Sequence, residues 1–404
     1  MPSTTMPGQG PGRGSSESTA LAPAPLAAVR SLRDAIEASA DWAEEHARLD
    51  PAVVEQVSQH GLFGLMVPEV LGGLEADPRT VLDVIAELSY ADGSYGWALM
   101  ANMVAGGIMG SYLPDDAVQQ IFGSPDGYVT AGHAAPLGTA ERVEGGFRVR
   151  GRFQFASGVH NAQWLEGGFL ETSNGEIVLR DGKPNHMMAI VPISGGRLLG
   201  NWNVMGLRAT GSEDFEIFEQ VIPESFTLGR LVNTVYRGGP VYKLGVSLLT
   251  GLGHAGFAVG ASRRLLDEMV RLAGKKKRAG SLLAETPTFQ KEYGTAEAEL
   301  RSATLYVYDS FQRAFEAAQT GEVPLELRAD CRLATCHVTF VGYRLSEWAY
   351  QRAGSDGLRN GSRLQRVFRD LHASSQHLFV DEQIILDSAR VLLGLARRED
   401  VPVL

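Results

Sequence analysis

The chain has 404 residues, with 37 Lys and Arg against 47 Asp and Glu, a formal net charge of −10. Hydrophobic residues make up 44% and charged residues 21%, which excludes disorder for the bulk and allows two or three domains. The only basic run is Lys275, Lys276, Lys277 and Arg278, so binding of nucleic acid by phosphate neutralisation is excluded.

Residues 1–25 are rich in Gly, Pro, Ser and Thr and read as a disordered tail. They lack the charged-then-apolar order of a signal peptide. No stretch of the chain reaches the roughly 18 uninterrupted apolar residues of a membrane span. A cytoplasmic protein without membrane contact is therefore expected.

From residue 26 to 124 the apolar residues recur at helical spacing, as in Leu26, Val29, Leu32 and Ile36, then Val81, Val84, Ile85 and Leu88. Residues 125–235 change to short β-branched and aromatic runs between glycines, such as Phe147 to Phe153 and Met188 to Pro192. This predicts a central antiparallel sheet domain. Residues 236–404 return to helical period, with long segments near 243–273, 288–319, 325–353 and 365–395. Helices, strands and helices in separate blocks define an α+β chain rather than a parallel α/β sheet, and the last block is long enough for a four-helix bundle.

Within the first of those long segments, Gly251-Leu252-Gly253-His254-Ala255-Gly256 has the glycine spacing of a dinucleotide-binding turn. Such a turn must follow a strand and open a helix. Here the glycines lie inside a helical pattern with Ala258, Gly260 and Ala261, which predicts close helix packing instead. Cys331 and Cys336, the two cysteines, are five apart on a predicted helix and face different ways, so neither a disulfide framework nor a metal centre is expected.

The chemistry-bearing stretches cluster at strand ends. They are Ala131 to Ala140 with His133, then Gly151-Arg152-Phe153-Gln154-Phe155-Ala156-Ser157-Gly158, Trp164, and Gly206-Leu207-Arg208-Ala209-Thr210-Gly211-Ser212. By themselves these are glycine-rich turns. Together with Val67-Pro68-Glu69-Val70-Leu71-Gly72-Gly73, Asp92 to Trp97 and Arg369 to His377, their order and spacing resemble the acyl-CoA dehydrogenase superfamily. The likeness is stronger to its branch of two-component (group D type) flavin-dependent monooxygenases.

That resemblance implies an N-terminal helical domain, a central antiparallel β-barrel and a C-terminal four-helix bundle, assembled as a homotetramer. It implies reduced flavin, FMN or FAD, supplied by a separate reductase, and O2 reacting through a C4a-hydroperoxide to oxidise an aromatic or polycyclic small molecule. The cofactor would be held by His133, Phe155, Ser157, Trp164, Thr210, Ser212 and Arg278, the last reaching the flavin phosphate across a subunit boundary. Ser157 would contact N5. Trp97, His254, His372 and His377 would line the substrate pocket, with His377 assisting substrate deprotonation. By helical spacing alone, Asp381, four residues beyond His377, and Asp370, seven before it, share its face and are placed to orient its ring.

Three departures from the family pattern narrow the chemistry. The positions of the dehydrogenase glutamate fall near Leu378 or Ala255, and neither can accept a proton. The second histidine expected about eight residues after Trp97 is missing from Val104-Ala105-Gly106-Gly107. Phe153 stands where an indole is common. A flavin oxidase or dehydrogenase of the same fold, without oxygen insertion, is the alternative enzyme, and a ligand-binding remnant without flavin the non-catalytic one.

Overall fold

The computed structural model describes residues 24–229, 234–278, 280–401 and 404. The tail expected over 1–25 lies outside them except for Ala24 and Pro25, which already open a helix.

Five helices come first: α1 (Ala24–His46), α2 (Pro51–Gln59), α3 (Pro78–Ala91), α4 (Gly93–Tyr112) and α5 (Asp115–Phe122). Asp77 and Asp92 cap α3 and α4, each carboxylate accepting from the two free backbone N–H groups that follow. Every residue of α4 except Ala101 is buried, the signature of a helix enclosed on all sides.

The strands of the central region are β1 (Thr130–Val143), β2 (Gly146–Ala156), β3 (Trp164–Ser173), β4 (Glu176–Ile177), β5 (Leu179–Arg180), β6 (Lys183–Pro184), β7 (His186–Pro192), β8 (Gly196–Leu198), β9 (Glu213–Ile222) and β10 (Thr227–Gly229). Their main path runs β10-β7-β3-β1-β2-β9-β8. The sheet is mixed where an antiparallel one was expected, because β1 and β3 pair in parallel, and its path ends at β10 and β8. The cause is chain geometry: β2 runs back along β1 from the Val143/Gly146 hairpin. A short turn then returns the chain to the start of β1, where Thr130 faces Trp164, so β3 can only run alongside β1 in the same direction.

The helices that follow are α6 (Gly245–Ala273), α7 (Pro287–Thr320), α8 (Leu325–Ala353), α9 (Arg363–Ser374) and α10 (Glu382–Leu392). The segment expected over 365–395 is broken between α9 and α10 by a turn at Leu378–Val380. From Pro240 to Ala273 the chain is long and apolar enough to cross a membrane, but 83% of its most apolar window is buried in the fold, and its glycines show why. A Cβ on Gly253 would meet Met100 Sδ at 2.6 Å, one on Gly256 Ile85 at 3.0 Å and one on Gly260 the Ala86 carbonyl at 2.0 Å. The small residues therefore seat α6 against α3 and α4, as the sequence pattern predicts, and no dinucleotide turn forms.

Candidate active site

The candidate site lies where the start of α4, the middle of α6 and the turn after α9 meet the end of β2. Trp97 is 6% exposed, and its Nε1 donates to Ser157 Oγ at 3.1 Å. Ser157 Oγ lies 2.8 Å from Ser212 Oγ, which lies 2.6 Å from Thr210 Oγ1. Thr210 in turn donates to the Leu207 carbonyl at 2.8 Å. A carbonyl can only accept and each hydroxyl has one proton, which fixes the direction of the whole chain. Ser212 must donate to Thr210 and Ser157 to Ser212. Ser157 therefore accepts from Trp97 and keeps a second lone pair, so it faces the site as an acceptor.

Two residues before Ser157, Phe155 has φ +61 at a register shift between β2 and β9. A left-handed aromatic residue is strained, and such strain concentrates at functional sites. The bulge turns the ring outward to 53% exposure, near His133 at 6.3 Å and Trp202 at 6.2 Å between ring centroids.

On the helical side the His254 and His377 rings are 4.4 Å apart, with Trp97 edge-on to both at 4.9 Å and 5.6 Å. His254 is thus the histidine that neighbours His377. Burial, with His133 and Arg332 nearby, pushes His377 down to about 4. Burial, His377 and Arg332 hold His254 well below the usual imidazole range. Both rings are neutral at neutral pH. His377 Nδ1 accepts from the Phe379 N–H at 3.2 Å, which leaves the proton on Nε2.

The structure thus brings together Trp97, His133, Phe155, Ser157, Thr210, Ser212, His254 and His377. Other candidates lie apart. Trp164 donates to the Gly127 carbonyl and stacks on Phe226. His372 packs between Tyr343 and Phe368. Arg278 is exposed and donates to the Arg352 carbonyl. Phe153 is fully buried between Phe169 and Phe215, so the ring on the site side is Phe155.

The expected orientation of His377 by an aspartate is also corrected. The helix ends at Ser374, so the i, i+4 relation is lost: Asp381 caps α10 by accepting from Gln383 N, and Asp370 accepts from Leu207 N at 2.6 Å. Sequence reading missed Trp202, Phe257, Phe379 and Arg332. Only Arg332 left a signal, as a charge inside the apolar stripe of α8 with Ala329, Cys331 and Cys336.

The loop carrying Thr210 and Ser212 is pinned to α9. A Cβ on Gly206 would sit 2.1 Å from the Arg369 carbonyl, and the Asp370 carboxylate holds Leu207. Burial and the neighbouring Asp92 raise Asp370 above the ordinary carboxylate range. A raised folded-state pKa contributes stability below the unfolded value and loses it as pH rises through the folded one. Asp370→Asn keeps an acceptor for Leu207 N and removes the titration. The fall in thermal midpoint as pH rises above about 4 should be shallower in Asp370→Asn than in the wild type. Parallel melting profiles for the two proteins would show that Asp370 is already ionised.

Comparison with known proteins identifies the fold. Residues 27–115 match the model for the acyl-CoA dehydrogenase N-terminal domain and residues 252–382 that for the C-terminal domain. The indole-3-acetate monooxygenase of Pseudomonas putida is 29% identical over 395 residues, covering 94% of this chain and 98% of that protein. The flavin-dependent monooxygenase oxygenase subunit HsaA of Mycobacterium tuberculosis is 26% identical over 373 residues, 89% of this chain and 92% of that one. The crystal structure of the M. tuberculosis HsaA monooxygenase superposes with TM-score 0.84 at 24% identity, covering 92% of this chain and 97% of that chain. XiaF from Streptomyces, solved with FADH2 and glycerol, gives TM-score 0.84 at 21% identity over 92% and 95%. At these identities the superpositions establish the fold.

Proposed function

We propose, for a chain that belongs to the acyl-CoA dehydrogenase superfamily, that it is the oxygenase component of a two-component flavin-dependent monooxygenase acting on an aromatic small molecule. The observation that carries the reading is the oriented chain from Trp97 through Ser157 and Ser212 to Thr210. It presents an acceptor at Ser157, and an acceptor fits the N5–H of a reduced flavin, whereas oxidised flavin offers no proton there. Phe155, His133 and Trp202 would wall the ring system. Bound reduced flavin supplies the activation of O2.

The protein's own groups do the rest. His377 donates from Nε2 to a substrate oxygen, His254 fills the space beside it, and the closed packing of Trp97 and Phe257 keeps water from the reacting atoms. No carboxylate stands at Ala255 or Leu378, which disfavours proton abstraction from an acyl-CoA. The names of the relatives, on indole-3-acetate and resorcinol among others, support an aromatic substrate.

A homotetramer in a soluble, cytoplasmic setting, served by a separate reductase, completes the proposal. Leu386, Leu392, Leu393 and Leu395 at the C-terminal end are 50–71% exposed, an apolar surface suited to a second copy. Arg278, which donates to the Arg352 carbonyl within its own chain, would act at a neighbour's site.

Anaerobic titration with FMN and FAD, each oxidised and reduced, tests the reading. Tighter binding of a reduced form, and label from 18O2 in the product of an aromatic substrate, are expected. Preference for oxidised flavin with no label in product would instead favour the oxidase or dehydrogenase.

A further inference from the structure

Arg332, on α8, is 1% exposed yet has no carboxylate partner among the described residues. Its Nη2 donates to the Phe379 carbonyl at 2.8 Å, and Cζ lies 4.7 Å over the Phe379 ring. Nε and Nη1 have no hydrogen-bond partner. The other deeply buried arginines are neutralised: Arg264 by Glu37 and Glu268, Arg366 by Asp41 and Glu44. An arginine cannot shed its charge in a protein, and a buried cation without a counter-ion is strongly unfavourable. A structural reason for keeping it would show as a carboxylate or a set of carbonyls on all three nitrogens, and one carbonyl on Nη2 does not meet it.

Its position indicates what it is kept for. The Phe379 ring beneath the guanidinium lies parallel to His254 at 5.7 Å and tilted to His377 at 5.8 Å. On α6, one turn before His254, a Cβ built on Gly251 would meet nothing nearer than 3.5 Å and would stand 3.6 Å from Nη1. Methyl-sized space therefore adjoins the unpartnered nitrogen, bounded by Phe311 and Thr335. His377, with its proton on Nε2, is also a donor. The described groups gathered here are donors and rings, with no acidic side chain among them.

We infer that Arg332 is a specificity-determining residue that takes the carboxylate of an aromatic acid, whose ring rests against Phe379 and the two histidines. The inference rests on the aromatic-substrate reading above and narrows it to an anionic aryl substrate. A permanently charged guanidinium in a dry site discriminates strongly between an acid and its neutral amide.

Indole-3-acetate and its uncharged counterpart indole-3-acetamide serve as probes, measured by calorimetry with the full chain at constant ionic strength. The acid is expected to bind at least tenfold more tightly than the amide to the wild type. Arg332→Met should abolish that preference while amide and reduced-flavin affinities stay within twofold. Methionine relieves an uncompensated charge, so the variant's thermal midpoint should equal or exceed that of the wild type, and the acid should raise the midpoint of the wild type only. Equal binding of acid and amide by the wild type, or a preference that survives in Arg332→Met, would overturn the inference. A variant that unfolds leaves the wild-type comparison to decide. Loss of flavin binding with the acid preference intact would refute the monooxygenase reading and leave the anion site standing.

Discussion

His377→Ala is expected to lower product formation by about 10²-fold or more while leaving reduced-flavin affinity within twofold. The imidazole lies on the helical side of the site, 4.4 Å from His254, and makes no hydrogen bond to the Ser157 chain, so flavin retention and substrate turnover should separate. The split excludes a merely structural role, because a collapsed site would lose both. The pH profile supplies a second reading. With His377 pushed down to about 4, neutral imidazole persists well below its ordinary range, so turnover should hold as pH falls past 6.5 and fail only nearer 4. Stability follows the same sign: a depressed histidine pKa leaves folding unaffected above the unfolded value and weakens it as pH falls from about 6.5. Single-turnover product yield against pH, with reduced flavin added directly, measures this without the reductase. Unchanged yield in His377→Ala would remove the residue from the chemistry.

Gly260→Val is expected to cost about 3 kcal/mol or more, the upper range of overpacking, and to reduce soluble yield. The α3 and α6 backbones approach so closely that a Cβ at 260 would sit 2.0 Å from the Ala86 carbonyl oxygen and 2.7 Å from its carbon. Backbone cannot swing aside as a flexible side chain can, so the two helices must separate. His254 is two turns away on α6, and separation would widen its distance to His377 and Trp97. Gly294→Ala on α7 is the control: nothing lies within 4 Å of its added Cβ, and alanine gains up to about 1 kcal/mol of helix propensity. Thermal unfolding of both variants measures the contrast. Equal midpoints would show that α6 can shift without loss.

Periodicity alone determined the order of helical, β and helical blocks, because each element must bury one face and the spacing of apolar residues reports that face directly. It also settled that the Gly251–Gly256 run packs rather than binds a nucleotide, since the surrounding small residues continue the helical pattern. The ordered motifs located His133, Ser157, Thr210, Ser212 and His377 as candidates. Tertiary structure decided the remainder. Whether β3 runs parallel to β1 depends on where the chain stands after a hairpin, which no local pattern encodes. Asp370 and Asp381 looked like partners of His377 on an unbroken helix, but the turn at Leu378–Val380 sends each to a backbone N–H elsewhere. His254 became the neighbour of His377 only through the crossing of α6 with the turn after α9. Arg332 is one of 37 Lys and Arg residues in the sequence, and its isolation from every carboxylate among the described residues exists only in three dimensions. Charge pairing is a property of distances between segments far apart along the chain, and composition cannot express it.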